Sequence, residues 1–65
     1  MKLMLNGELK DIACGTVSEL LLILDIKKEL VVVELNHEIV HCEHFEKTVL
    51  KNNDKIEIVT MVGGG

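Results

Sequence analysis

The stretch "KIEIVTMVGGG", residues 55–65, decides how this chain folds. Its β-branched residues make it a strand, with Ile56, Ile58, Thr60 and Val62 on one face and Glu57, Val59 and Met61 on the other. The strand runs directly into Gly63, Gly64 and Gly65. If it lies in the middle of a sheet, its end is fixed and the glycines project into water; otherwise they are a frayed end.

Moving back along the chain, "NND" at 52–54 is a turn. The preceding segment, "HCEHFEKTVLKNND" at 41–54, is otherwise irregular, with a short helical turn expected around Glu43 to Glu46 and Phe45 as its anchor to the core. "LVVVELN" at 30–36 is a continuous β-branched strand, expected to be covered on both sides or to lie near the middle of a sheet. "EIV" at 38–40 follows after Asn36-His37, which sit where a hairpin turn would go; histidine tolerates positive φ less readily than glycine, so this turn should carry strain. "KLMLNGELKDI" at 2–12 places two apolar-rich segments around Asn6-Gly7, a dipeptide suited to a type I′ hairpin turn. A strict two-residue loop there would pair Leu5 with Glu8 and Leu3 with Lys10, whereas a bulge would change the parity; both stay open.

Between the hairpins, "TVSELLLILDI" at 16–26 is a helix. Thr16 and Glu19 have the spacing of a capping box, in which hydroxyl and carboxylate each take one otherwise unpaired amide. Val17, Leu20, Leu21 and Leu24 form an apolar stripe. Leu22 and Ile23 broaden it, which predicts a helix sunk deeply into a small core. Two strands, a helix, two strands, a short turn and a last strand define an α+β fold of two layers, a mixed sheet of four to five strands with one helix on one face.

Composition narrows the functional classes. A chain of 65 residues holds one small core, burying about 60% of the surface exposed when unfolded. It is 48% hydrophobic and 28% charged, too apolar for disorder and too charged for a membrane span. "LLLIL" is far shorter than a bilayer helix, and the N-terminus turns polar too soon for a signal peptide, so a cytoplasmic protein with Cys14 and Cys42 reduced is expected. Eleven acidic residues against seven basic ones give a net charge of −4, which leaves no basic face for nucleic acid but suits steering towards a more basic protein partner.

Candidate chemistry is sparse. "HEIVHCEH" gathers His37, His41, Cys42 and His44 within eight residues, all possible zinc ligands. Their spacing opposes a shared site, because His37 falls in a turn and adjacent His41 and Cys42 point apart if extended. No nucleophile and base with an orienting group, and no glycine-rich phosphate loop opening a helix, can be picked out, so no enzyme acting alone is expected. The glycine tail remains: without Cβ atoms it fits a channel too narrow for other residues and can carry a terminal carboxylate into a partner's active site.

"LNGEL", "TVSELL", "VVVELNHEIV" and above all "LKNNDKIEIVTMVGGG" resemble the sulfur-carrier proteins of thiamin thiazole biosynthesis, the ThiS family, across nearly the whole chain and in the same order. That resemblance implies a β-grasp, ubiquitin-like domain over residues 1–65 with a central last strand and protruding glycines. It implies that a ThiF-like adenylating enzyme, using its own ATP and magnesium, adenylates the carboxylate of Gly65, with Gly64 and Gly63 threading the partner's active site. Sulfur obtained from cysteine through a cysteine desulfurase then gives a thiocarboxylate, which thiazole synthase consumes; this chain itself holds no cofactor. His37 and Asn53 stand where the family commonly has glycine, and Phe45 where tryptophan is frequent. Val59, Met61 and Val62 are the candidate docking residues beside the tail, with ordinary sheet surface as the alternative. A carrier for molybdopterin, cysteine or siderophore synthesis, or a ubiquitin-like interaction module without tail chemistry, are the alternative functions.

Overall fold

A computed structural model describes residues 1–61. Strands β1 (Lys2–Leu5) and β2 (Glu8–Asp11) form the first hairpin, helix α1 (Val17–Ile23) follows, and β3 (Val31–Leu35) and β4 (Glu38–Val40) form the second hairpin. Strand β5 (Lys55–Thr60) enters between the two. The sheet has five strands in the order β2-β1-β5-β3-β4, with β5 parallel to β1 and antiparallel to β3. The last strand is thus central, as the sequence requires if its end is to be held.

Both hairpin turns carry positive φ at each central residue, 49° and 84° at Asn6 and Gly7, 52° and 74° at Asn36 and His37. These are type I′ turns, whose twist matches that of the flanking strands. His37 lacks glycine's freedom, so the expected strain is present. Asn53 also sits at positive φ, 72°, in the turn before β5, where a glycine would be at ease.

The first turn settles the open question of register: Leu5 pairs with Glu8 and Leu3 with Lys10. Apolar and charged residues share a face because β2, exposed along its length, is an edge strand lying past the core. There Lys10 pairs with Glu8 at 3.2 Å rather than packing.

Helix α1 crosses one face of the sheet. Leu3, Val17, Leu20, Leu21, Val31, Val33, Phe45, Leu50 and Ile56 form the core, with Phe45 almost wholly enclosed. The short 3-10 turn Cys42–His44 delivers Phe45, close to the expected helical turn. The four amides of the first helical turn are all satisfied: Val17 N–H donates to Thr48 O, Ser18 N–H to Phe45 O, Glu19 N–H to Thr16 Oγ1 and Leu20 N–H to Thr16 O. The capping box differs from expectation in one half, because the Glu19 carboxylate accepts from Gly15 N–H rather than from Thr16.

The deeply sunk helix is corrected. Leu22 is 77% exposed and Ile23 54%. A seven-residue helix over a narrow sheet buries only the stripe of Val17, Leu20 and Leu21, and the two intervening residues face outward. The helix then stops in a left-handed cap: Asp25, at φ 59°, donates to Leu22 O, and Ile26 N–H to Leu21 O. Of the two expectations for β3 the second holds: it lies inside the sheet, between β5 and β4, with Val31 and Val33 buried, while Val32 and Glu34 face the side that no helix covers.

Candidate functional site

The uncovered sheet face is built by the register of β3 against β5. Val32 lies opposite Val59 and Glu34 opposite Glu57, all on the face away from α1 because Val33 and Ile56 point into the core. Met61 N–H donates to Leu30 O at 2.6 Å, which carries the pairing one step further and sets Leu30 beside Met61. On β4, Ile39 lies opposite Glu34 and therefore on the same face.

Two columns consequently run down the centre of this face. Nearest the chain's C-terminal segment come Leu30 with Met61, then Val32 with Val59, then Glu34 with Glu57. Val59 and Met61 are 56% and 54% exposed, as the alternation of the last strand predicts. Val32, Leu30 and Ile39 join them and are absent from the sequence reading. Val32 is hidden there inside an unbroken β-branched run; only the pairing with β5 shows which members of that run face out. Val62, Gly63, Gly64 and Gly65 lie outside the described residues.

Strand β5 is tied by turn side chains on both of its sides. On the β1 side the ladder ends at Leu5 and Ile56, and the Asn6 side chain continues it: Ile58 N–H donates to Asn6 Oδ1 at 2.7 Å, and Asn6 Nδ2 to Ile58 O at 3.3 Å. On the β3 side the turn residue Asn36 does the equivalent for the start of β5, accepting from Lys55 N–H at 2.9 Å and donating to Asp54 Oδ1 at 3.0 Å. Two turn asparagines thus tie the strand that leads to the glycines.

The remaining candidates do not assemble. Among the described residues no three His, Cys, Asp or Glu side chains converge as metal ligands. His41 and His44 meet only edge to face, with ring centroids 6.4 Å apart, and His37 sits in the β3–β4 turn. Cys14 is half-buried and Cys42 exposed, both free thiols. Burial, with the Glu19 carboxylate nearby, pushes the Cys14 thiol above its ordinary range. An open groove of about 260 Å³ lies beside α1, lined by Leu21, Leu22, Ile26 and the polar Ser18, Asp25, Lys27 and Lys28. It is smaller than the clefts that usually enclose small ligands and is on the helix side, away from β5's open face. No helix among the described residues is long and apolar enough to cross a membrane.

A single α-helix packed on a mixed five-stranded sheet whose last strand is central defines a ubiquitin-like β-grasp domain. The sequence profile of the ThiS family matches residues 3–65. The chain belongs to the ThiS family. It is 40% identical over 67 residues to the "Sulfur carrier protein ThiS" of Bacillus subtilis, covering 97% of this chain and 98% of that one. The crystal structure of a thiamine biosynthesis protein (ThiS) from Geobacter metallireducens superposes with a TM-score of 0.86 at 36% identity, each chain covered completely. The whole chain also matches, at 39% identity, a portion of the "Thiazole synthase" of Paramagnetospirillum magneticum. It spans only 20% of that relative's length, and 64% of another curated relative's.

Proposed function

We propose that this chain is a sulfur carrier of thiamin biosynthesis, a protein co-substrate rather than a catalyst, whose reactive group is the carboxylate of Gly65. The observation that carries the reading is the position of β5: it is central, tied by Asn6, Asn36 and Leu30, and its sequence continues directly into Gly63, Gly64 and Gly65. Gly65 lies four residues beyond Met61, at most about 14 Å along the chain, so a partner that acts on Gly65 seats near the surface beside Met61.

The chemistry follows from the weakness of a carboxylate as an electrophile. A ThiF-like adenylating enzyme, holding ATP and magnesium itself, joins the Gly65 carboxylate oxygen to the α-phosphorus and releases pyrophosphate. The terminal sulfur of a persulfide, which a desulfurase forms with sulfur from cysteine, then attacks the acyl carbon and AMP leaves; a thiol reductant cleaves the resulting acyl disulfide, and a thiocarboxylate remains. This chain supplies the carried group and the docking face, Val59 and Met61 with Val62 after them, and no cofactor. Thiazole synthase is the acceptor enzyme. Support for that choice comes from the thiazole synthase relatives, of which a part equal in length to this chain is similar to it.

The test is intact mass. Incubation with ATP, the organism's adenylating enzyme and a sulfide source should exchange one oxygen of the protein for one sulfur. Failure to exchange, where a working carrier is converted in parallel, overturns the reading. Gly64→Ala should melt like the parent yet lose most adenylation, because an added Cβ obstructs a channel shaped for glycine; full activity in that variant would remove the threading argument.

A further inference from the structure

On the uncovered sheet face, Glu34 of β3 stands directly opposite Glu57 of β5, at the centre of the sheet. Like charges directly opposite in a ladder destabilise it, and the alternation of either strand would accept a neutral residue here. Among the described residues neither carboxylate has an ion-pair or side-chain hydrogen-bond partner; the ion pairs found there all belong to the first hairpin, joining Asp11 to the terminal ammonium and Lys2, and Glu8 to Lys10. Apolar residues border the pair on the side of the C-terminal segment and on β4, while the next row away from that segment holds exposed Lys55 opposite Asn36. Val32 and Val59 lie one row towards the C-terminal segment, Leu30 and Met61 a row beyond, and Ile39 beside Glu34.

We propose that the Glu34–Glu57 pair is the receptor for a basic side chain, a guanidinium or ammonium, presented by the adenylating enzyme at the edge of an apolar docking patch. The assignment rests on the carrier reading above. Charge complementarity fixes the occupant: a protein of net charge −4 places two adjacent carboxylates, with no ion pair among the described residues, directly beside that patch, and covering them without a cation would strand both charges away from water. With the cation present, exclusion of water strengthens its attraction to both carboxylates. A competing surface that is merely apolar is rejected, which makes the pair a specificity element as well as an anchor. Rows of one face are about 7 Å apart along a strand, so the partner's cation must lie about that far from the group that covers Val32 and Val59, on the side away from the tail.

The test uses the intact protein and the adenylating enzyme of the same organism, followed by pyrophosphate exchange. The double variant Glu34→Gln/Glu57→Gln keeps size and polarity but removes both charges. Its KM should rise at least about tenfold with kcat retained, and the weakening of the parent's KM by added salt should largely vanish. Its melting temperature should rise by about 2–6 °C, since the repulsion is relieved; a purely structural role for the pair would lower it. Glu57→Lys should raise KM further still. An unchanged KM and salt dependence, with the parent turned over normally, overturns the receptor and leaves the carrier reading standing. A parent protein that is never adenylated overturns both.

Discussion

Replacing Asn6 tests whether β5 is held by a turn side chain. Asn6 serves twice: its backbone occupies φ 49° at the first position of a type I′ turn, and its amide pairs with both backbone groups of Ile58. The two contacts contribute about 0.5–1.5 kcal/mol each, with the 2.7 Å bond from Ile58 N–H the stronger. An alanine held in the left-handed region adds about 1 kcal/mol. Asn6→Gly, which keeps the backbone at ease but removes the amide, should therefore lose about 1–3 kcal/mol, and Asn6→Ala about 2–4 kcal/mol. Asn6→Asp keeps the acceptor for Ile58 N–H and should be the mildest of the three. A domain of this size has about 3–10 kcal/mol in total, so the alanine variant should melt at least about 10 °C below the parent. Urea titration measures the three losses, and amide exchange at Ile58 reports the bond itself. If alanine and glycine variants both fall within about 0.5 kcal/mol of the parent, with Ile58 still protected, the turn does not hold β5.

Other outcomes follow from single features. His37→Gly should raise stability by about 0.5–1 kcal/mol, because φ 74° strains a histidine but not a glycine; a calorimetric melt checks it. Iodoacetamide at mildly alkaline pH should label exposed Cys42 well before Cys14, whose thiol is both shielded and harder to ionise, as peptide mass mapping would show. The terminal ammonium, first by hydrogen bond and then by charge, together with Lys2, holds Asp11 below the usual carboxylate range. Its contribution to stability is therefore complete above the unfolded carboxylate's pKa of about 4 and disappears as pH falls through the lower folded value. Asp11→Asn should flatten that part of the acid limb, and high salt should do the same to the parent.

The elements were legible where local chemistry and pattern agree. Asn6-Gly7, Asn36-His37 and the Thr16 cap each specify backbone geometry within a few residues, and all three occur as read. The helix was misjudged where pattern outran context. In "TVSELLLILDI" seven apolar residues suit a broad buried face, but burial requires something to lie against. Among the described residues there is one sheet, and Leu22 and Ile23 point away from it. Leu22 and Ile23 are outside because the body is small, a quantity no local pattern contains. Register behaved differently: the strict two-residue loop looked unfavourable for pairing Leu3 with Lys10, and it is accommodated because β2 is an edge strand that packs little on either face.

The docking face required the same kind of non-local fact. Val59 and Met61 could be placed from the alternation of β5 alone, since charged and apolar residues there mark the two faces. Val32 could not, because "LVVVEL" is apolar at every position until Glu34. Once β5 is inserted between β1 and β3, the pairing of Ile58 with Val33 settles both strands together. A core residue opposite a core residue forces Val32 to meet Val59 and Glu34 to meet Glu57. The acidic pair is therefore a product of topology: the two glutamates are 23 positions apart in sequence and become neighbours only because the last strand returns to the centre. The insertion that holds β5 also creates the order of rows on this face, apolar at Met61 and Val59, acidic at Glu57 and Glu34, and polar with a lysine at Lys55 and Asn36. On the proposed carrier reading, a partner that recognises this order of rows orients the domain before it engages Gly65.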